Sequence, residues 1–271
     1  MASAASANVA VYDALENERY IDEAPHIKHK GLRQLYAQLT AEVLRRLGKS
    51  TTETRILDLG AGEGSVTLRY LELGSRVTAI DSSERQLSYL RSRAVTHLDR
   101  LTLRCGDVFD LVRDERQAAE RFDLVVSNSF LHHIPDYPRL LSEAITLLEP
   151  NGILFTFQDP LRFASLGLPV RTFTGAAYLS WRVFKPDVFG GLARRFRRML
   201  GVYREDCPED NAEYHVVRGG VDQDLIVETL RGAGMKVEVV RYFSTQSPLW
   251  QRMGSGLRIS NTFAIIAQRQ R

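Results

Sequence analysis

The stretch Asp58-Leu-Gly-Ala-Gly-Glu-Gly-Ser65 decides the fold, because it places three glycines between an apolar strand and a helix. The run that precedes it, Arg55-Ile-Leu-Asp-Leu59, has the length and composition of a buried strand, and a helical pattern follows to about Leu73. Glycines here let the backbone turn tightly and let a ligand approach the amides that begin the helix. The stretch therefore predicts a strand, a tight turn and a helix, with a ligand site at the turn.

The spacing of these glycines separates the turn from two other nucleotide-binding turns. A dinucleotide-binding turn reads G-x-G-x-x-G, whereas here Ser65 stands three residues after Gly62 and Gly64 comes one residue too early. A P-loop would need a lysine after its last glycine, and none is present. The pattern G-x-G-x-G therefore argues against a triphosphate site, and its spacing also disfavours a nicotinamide-dependent dehydrogenase.

Strand and helix patterns alternate along most of the chain. Further strand-sized apolar runs lie at 76–80, 101–105, 122–127 and 153–157, and the helix before the last of them is predicted to include Leu148 and to stop at Pro150. Alternation with short connections is typical of a parallel sheet, and right-handed crossovers then predict a doubly wound α/β sheet. The rhythm resumes at about 222, and the final strands, 236–243 and 261–267, have no helical pattern between them and are expected to pair antiparallel.

Two segments fall outside this alternation. Residues 1–50 are predicted to form a helical lid segment with one amphipathic helix over 32–47, and residues 160–220 a cap inserted after the fifth strand. The core domain then consists of 51–159 and 221–271.

Composition excludes several other classes of protein. The 271 residues carry 36 Lys+Arg and 33 Asp+Glu, a formal net charge of +3, and 44% are hydrophobic, which is the range of globular domains. So small a net charge is not the footprint of a nucleic-acid-binding protein. Two cysteines are too few for a disulfide framework or a zinc ribbon, and no signal peptide or membrane-spanning run is visible. A cytoplasmic protein without a nucleic-acid partner is expected.

Two more carboxylates stand at the ends of successive strands. Asp81 ends the second strand, where a carboxylate accepts hydrogen bonds from two ribose hydroxyls. Asp107 follows the third strand, and with Val108 it suits the edge and the face of an adenine. Either acid alone could cap a helix, but two in register with the glycine turn indicate an adenosine site.

Together these residues resemble the class I S-adenosylmethionine-dependent methyltransferases, over about residues 12–159 and from 222 to the C-terminus. The matching pieces are Ile56-Leu-Asp-Leu-Gly-Ala-Gly-Glu-Gly64, Ala79-Ile-Asp81, Cys105-Gly-Asp107, the run from Phe122 to Asp136, and Leu147-Leu-Glu-Pro-Asn-Gly-Ile-Leu154. One departure is Asn151-Gly152, where the family often has Gly-Gly; asparagine tolerates the left-handed conformation. The resemblance implies a seven-stranded sheet whose last strand is antiparallel.

The resemblance also implies S-adenosylmethionine as the cofactor and S-adenosylhomocysteine (SAH) as its product. It places the methionine moiety at the glycine turn, the ribose at Asp81, the adenine at Asp107 and the sulfonium beside Ser127 or Asn128. In related enzymes a tyrosine-bearing N-terminal helix closes over the cofactor, and a basic residue such as Arg33 meets its carboxylate as a bidentate donor; a solvated helix face is the alternative for Arg33. The implied cofactor-binding residues are Asp58, Gly60, Ala61, Gly62, Asp81, Ser82, Asp107, Val108, Ser127, Asn128, Tyr20 and Arg33.

Candidate catalytic groups follow strands four and five, as expected for a doubly wound sheet. A histidine oriented by a carboxylate is a suitable general base, and in some sugar and natural-product methyltransferases the second histidine of a Leu-His-His-Ile pattern assists proton removal. We predict His133 as the base with Asp159 as its partner and His132 beside them. A purely structural His133, or a strand that ends at Gln158 and points Asp159 elsewhere, are the alternatives. No metal is expected, because the adjacent histidines have no third ligand at metal spacing.

The acceptor is expected to bind beneath the aromatic-rich cap, which suits a bulky, partly apolar small molecule. The candidate substrate-binding residues are Tyr12, Trp181, Tyr214, His215 and Arg218. Basic residues at 194–198 beside an acidic stretch at 205–213 fit either a membrane or anionic surface contact, or charges that neutralise each other within the fold.

The predicted function is methyl transfer from S-adenosylmethionine to an oxygen or nitrogen atom of a small molecule, such as a natural product, a sugar or a glycan precursor. The alternatives are a methyltransferase of a lipid-linked or membrane-associated acceptor and an S-adenosylmethionine-binding module without transferase activity. The oligomeric state is left open, and a homodimer is one of the options.

Overall fold

One sheet of seven strands forms the centre of the computed structural model, which describes residues 24–183 and 214–269 and the isolated residues 9, 190, 193, 196, 197 and 202. The strands are β1 Arg55–Leu59, β2 Arg76–Asp81, β3 Leu101–Cys105, β4 Phe122–Asn128, β5 Leu148–Pro160, β6 Met235–Tyr242 and β7 Thr262–Arg269. They lie in the order β3-β2-β1-β4-β5-β7-β6, and β7 runs antiparallel to both of its neighbours. The other pairs are parallel, so the predicted doubly wound sheet is confirmed.

Helices cover both faces of this sheet. Those in the described residues are α1 Pro25–Lys28, α2 Lys30–Leu47, α3 Ser65–Glu72, α4 Glu84–Arg93, α5 Val108–Gln117, α6 Tyr137–Ala144, α7 Leu168–Arg182, α8 Tyr214–Val217, α9 Gln223–Gly232 and α10 Pro248–Gly256. The predicted amphipathic helix in the N-terminal segment corresponds to α2, and α7 and α8 belong to the predicted cap.

The core consists of two apolar layers, one on each face of the sheet. Leu57 of β1 belongs to the layer that includes Leu140 of α6, and Ile56 belongs to the layer that includes Tyr70 of α3. All four side chains are fully buried. A strand covered on both faces has a continuous apolar sequence rather than an alternating one, which is the pattern that predicted β1.

Two predictions about local structure were wrong. The helix that was expected to include Leu148 ends at Ala144, and β5 begins at Leu148, which pairs with Phe122 of β4. The connection between β6 and β7 contains α10, where no helix was expected. Gly254 suits this helix because a Cβ there would run into the ring of Phe243, so close packing and not a turn requires the glycine.

A bulge in β5 determines where the end of this strand points. The pairing with β7 shifts between Phe157 and Asp159, and the residue between them, Gln158, has a φ of 72°. Phe157 belongs to the layer with Tyr70, so strict alternation would turn Asp159 to that face; the extra residue turns it instead to the face of Leu161. The strand continues to Pro160, so the alternative that it ends at Gln158 is wrong.

Candidate active site

The glycine turn after β1 lies where the sequence places it, and its three glycines are all left-handed. The φ values of Gly60, Gly62 and Gly64 are 72°, 53° and 90°. A Cβ at Gly60 would run into the ring of Phe130, whereas a Cβ at Gly62 would meet nothing within 4 Å. Gly60 is therefore required by packing as well as by backbone conformation, and Gly62 leaves space at the cavity wall.

Replacing Gly60 by alanine is expected to destabilise the protein by about 2–4 kcal/mol, because left-handed strain adds to the collision with Phe130. Gly62→Ala is the matched control, since it carries the strain alone and is expected to cost about 1–2 kcal/mol. Urea unfolding of both variants measures the difference. Equal losses would mean that Phe130 moves aside freely.

The carboxyl ends of β1, β2, β4 and β5 open into a cavity of about 1430 Å³. Residues of α1 and of α7 also line it. Ligand pockets are usually about 300–1,000 Å³, so this cavity has room for a cofactor together with a second molecule.

Three aspartates line the cofactor side of this cavity, Asp58, Asp81 and Asp107, and Glu63 of the glycine turn lines it as well. Asp81 accepts hydrogen bonds from the amides of Gly62 at 2.8 Å and Ser83 at 2.9 Å, one on each oxygen. A carboxylate at this strand end can accept hydrogen bonds from ribose hydroxyls, which is the role that the sequence predicts for Asp81. Asp107 caps α5 through the amide of Phe109. The cavity wall thus has the acids that an adenosine group needs, and Ala61, Ser82 and Val108 lie beside them.

Asp58 is almost fully buried beneath the turn and accepts a hydrogen bond from Thr67 Oγ1 at 2.5 Å. Burial raises the pKa of Asp58 from 3.8 to about 7. The carboxyl is therefore partly protonated near neutral pH, in contrast to a surface aspartate.

Replacing Asp58 by asparagine is expected to remove a pH-dependent loss of stability. The unfolded chain releases the Asp58 proton near pH 3.8 and the folded chain only near pH 7, so the stability that this proton provides is lost as the pH rises between those values. Urea unfolding should show that the free energy of unfolding of the variant rises relative to that of the unaltered chain from about pH 4 to pH 7. Above pH 7 the difference between the two should stay constant. A difference that is constant over the whole range would mean that Asp58 is ionised in the folded protein.

The end of β4 contributes an unsatisfied polar pair to the cavity wall. Asn128 Nδ2 lies 3.3 Å from His26 Nε2, while Asn128 Oδ1 and His26 Nδ1 are buried without hydrogen-bond partners. Burial lowers the pKa of His26 to about 4, so its ring is neutral at pH 7. Buried polar groups without partners are costly, and both atoms fit the polar amino-acid end of a cofactor. Ser127, predicted as an alternative to Asn128, is buried and is not among the lining residues.

Among the described residues, the N-terminal segment reaches the cavity through Val9, Ala24 and α1, and not through Arg33. His26 and Ile27 line the cavity. Arg33 is exposed, is not among the lining residues, and donates to the carbonyls of Ile27 and Lys28, because the carbonyls at a helix end need donors. Tyr12 and Tyr20 lie outside the described residues. No sequence pattern distinguished His26 from the neighbouring polar residues.

His132 and His133 lie side by side in the cavity wall, with ring centroids 4.1 Å apart. The Asp159 carboxylate is fully buried behind them, and its Oδ1 accepts hydrogen bonds from His132 Nδ1 at 2.8 Å and from the His132 amide at 3.1 Å. The sequence prediction paired Asp159 with His133; the structure gives this hydrogen bond to His132. The bulge at Gln158 is the physical reason, because it turns Asp159 toward the loop that follows β4.

Burial dominates the electrostatics of this pair. It raises the pKa of Asp159 to about 7 and lowers the pKa of His132 well below its usual range. Both shifts favour the uncharged forms in the resting protein. When Asp159 is ionised it holds the proton on His132 Nδ1, which leaves Nε2 as the nitrogen able to accept another proton.

The cap places two of the predicted substrate residues in the cavity wall. Trp181 of α7 and Arg218, just after α8, line the cavity, and the Arg218 guanidinium lies 3.8 Å from the ring centroid of Tyr214. Tyr214 and His215 are not among the lining residues. His215 Nε2 instead donates to the carbonyl of Ile134 at 2.9 Å and fixes the cap to the loop that carries the histidines. The predicted basic stretch 194–198 lies largely outside the described residues.

The described part of the chain holds neither a cluster of metal-ligating side chains nor a membrane-spanning helix. Across 24–183 and 214–269 no group of three or more His, Cys, Asp or Glu side chains could hold a metal ion. None of the helices described there is long and apolar enough to cross a membrane.

The seven-stranded sheet with its antiparallel β7 has the fold of class I methyltransferases. Residues 57–156 match the family described as "Methyltransferase domain". The chain is 30% identical over 100 residues to the ubiquinone biosynthesis O-methyltransferase of Coxiella burnetii, an alignment that covers 37% of this chain and 41% of that protein. It is 30% identical over 148 residues to the malonyl-[acyl-carrier protein] O-methyltransferase of Bacillus cytotoxicus, with 51% and 47% covered. The chain thus spans less than half the length of these curated relatives.

A solved structure matches the fold over nearly the whole chain. The magnesium protoporphyrin IX methyltransferase from Synechocystis PCC 6803, solved with SAH bound, gives a TM-score of 0.55 at 16% identity, with 97% of this chain and 96% of that chain covered. The residues of the present cavity fit S-adenosylmethionine, since the open space at Gly62, the Asp81 carboxylate at the end of β2 and the unpartnered atoms of His26 and Asn128 correspond to parts of that molecule.

Proposed function

We propose that this protein transfers a methyl group from S-adenosylmethionine to a hydroxyl oxygen of a small, partly apolar molecule. The observation that carries the proposal is His132, which lines the same cavity as the three cofactor-side aspartates and is hydrogen-bonded to the buried Asp159 behind it. A hydroxyl is the acceptor that benefits most from such a pair, because it must lose a proton as the new bond forms. The names of the two curated relatives, both O-methyltransferases, support the choice of oxygen.

Cofactor binding is assigned to residues at the ends of β2, β3 and β4 and to one residue of α1. Asp81 accepts from the ribose hydroxyls, Asp107 and Val108 hold the adenine, and Asn128 with His26 meets the amino-acid end. When bound, the cofactor supplies a methyl carbon already activated by a positive sulfonium. The walls of the cavity hold the acceptor close to that carbon and exclude water.

Proton removal is assigned to His132, and Asp159 is its positioning residue. Ionised Asp159 accepts from His132 Nδ1 and so directs the lone pair of Nε2 to the acceptor hydroxyl. The imidazolium that forms is stabilised by the adjacent carboxylate. His133 lies against His132 and shapes the wall beside it.

The acceptor side of the cavity is mainly apolar, with a few polar atoms. Its apolar and aromatic lining residues are Leu161, Phe163, Leu166, Tyr178, Trp181 and Val216. Thr174 Oγ1 and Gln246 Oε1 belong to residues of this side and are buried without hydrogen-bond partners. No Asp or Glu is among the described lining residues on this side. These features favour a neutral or anionic molecule with an apolar body and several hydroxyl or carbonyl groups.

The test combines cofactor binding with transfer of a labelled methyl group. Calorimetry is expected to show binding of S-adenosylmethionine and of SAH, and the label should enter phenolic or sugar hydroxyls in preference to amines of the same shape. Binding without transfer to any acceptor in the panel would favour the module without transferase activity. Transfer to amines alone would overturn the assignment of oxygen. The homodimer, a lipid-linked acceptor and the cytoplasmic setting remain predictions.

A further inference from the structure

The outer face of α10 and the residue that follows it present three large apolar side chains to solvent. Leu249, Met253 and Leu257 are 65%, 44% and 63% exposed. They stand four residues apart, so at about 100° per residue they share one sector of about 80° on the helix surface. The opposite face is anchored in the protein, since Gln251 is buried and donates to the carbonyl of Phe243 at 2.7 Å. We call the three exposed side chains the apolar stripe.

A basic groove runs beside the apolar stripe, between α10 and the start of α2, with a volume of about 920 Å³. Among the described residues that line it there is no carboxylate, and the cations are Lys28, Lys30, Arg241, Arg252 and Arg258. Arg241 has an ion-pair partner in Asp224 at 3.7 Å. The side chains of the other four make no hydrogen bond or ion pair with the described part of the chain, so their charges are available to an external anion.

The combination restricts what this surface can bind. A second copy of the chain, docked by two-fold symmetry, would bring the same cations against one another. A membrane surface requires no complementary shape, since apolar side chains enter the boundary between head groups and acyl chains while flanking cations meet the lipid phosphates. Arg252 lies about 60° around the helix from Leu249, at the flank of the stripe, which is the arrangement that a helix lying in a membrane interface needs.

We propose that α10 and the start of α2 form a contact site for an anionic phospholipid membrane. The apolar stripe inserts at the head-group boundary, and Lys28, Lys30, Arg252 and Arg258 bind the phosphates. The site adjoins the main cavity, because His29 lines the groove and its Nε2 donates to the carbonyl of Thr245, a cavity residue, at 2.8 Å. It is separate from the basic stretch 194–198 and does not depend on which atom is methylated.

Vesicle co-sedimentation of the full chain tests the site. The chain is expected to bind vesicles that contain phosphatidylglycerol, to bind vesicles of phosphatidylcholine alone much more weakly, and to lose binding as salt is raised. Lys28→Glu with Arg258→Glu should reduce binding to the anionic vesicles at least roughly 25-fold, since each cation contributes about fivefold. Serine at all three positions of the apolar stripe should reduce binding to background.

Matched controls come from the opposite edge of the sheet. Leu73, Val95 and Leu98 are also exposed, and serine at these three positions should leave vesicle binding unchanged, as should Arg76→Glu with Arg91→Glu. Equal binding by the stripe variant and the unaltered chain would overturn the proposal. Binding to soluble polyglutamate without binding to anionic vesicles would also overturn it. A third contradicting result would be a dimer in sedimentation velocity that the stripe substitutions dissociate, in a protein that does not bind vesicles.

Discussion

Replacing His132 by alanine is expected to lower kcat by about 10²–10⁴-fold and to leave the Kd for S-adenosylmethionine within about twofold. The loss follows because the acceptor hydroxyl then has no base, while the residues assigned to the cofactor are unchanged. Single-turnover transfer of a labelled methyl group measures the first quantity and calorimetry the second. His133→Ala is the matched control, since it removes the neighbouring ring that does not hold the Asp159 hydrogen bond described above, and its kcat is expected to fall by less than about tenfold.

The pH dependence of kcat separates a base from a residue that only shapes the loop. Asp159 must be ionised to hold the proton on His132 Nδ1, so kcat is expected to rise with pH and to level off above about pH 7, where that carboxyl loses its proton. Asp159→Asn should lower kcat and abolish this inflection. If His133→Ala proves the more damaging variant, the base is His133 and the assignment of His132 fails.

Replacing Asp81 by alanine is expected to weaken S-adenosylmethionine binding by at least about 100-fold. Two hydrogen bonds to a carboxylate are lost, each worth roughly 1.5–3 kcal/mol, and the amides of Gly62 and Ser83 lose their acceptor at the same time. Calorimetry with S-adenosylmethionine and with SAH measures the change, which should be similar for both because the ribose is common to them.

Two controls accompany this variant. Asp81→Asn keeps one oxygen acceptor and should show an intermediate affinity, whereas Asp99→Ala, a surface acid with an exposed side chain, should change nothing. A melting curve checks that the turn still folds in each variant. Unchanged affinity in a folded Asp81→Ala protein would contradict the assignment of the ribose.

Much of the fold and of the cofactor side could be predicted from the sequence, because the signals are local. A strand buried on both faces has to be continuously apolar, and the left-handed turn after it has to be rich in glycine. Asp81 and Asp107 were found because strand ends meet at one edge of a parallel sheet. The start of β5 and the helix α10 were missed, since Leu148 suits a helix and a strand equally and the glycines of α10 resemble a loop.

The amino-acid end of the cofactor site was predicted less well because its contacts join distant parts of the chain. His26 contacts Asn128 only because α1 docks over the sheet, and no local sequence pattern around either residue predicts this contact. Arg33 lies further along the chain, on a solvated face of α2, and the sequence offered no means of choosing between His26 and Arg33.

The sequence by itself determined the class of domain, the cofactor turn and the acids around it, because hydrophobic period and glycine spacing act within a few residues. Only the tertiary structure decided which histidine donates its hydrogen bond to Asp159. Side chains alternate along a strand, and the single extra residue at Gln158 moves Asp159 from the face of Phe157 to the face of Leu161. That bulge depends on the pairing of β5 with β7, a strand from the far end of the chain.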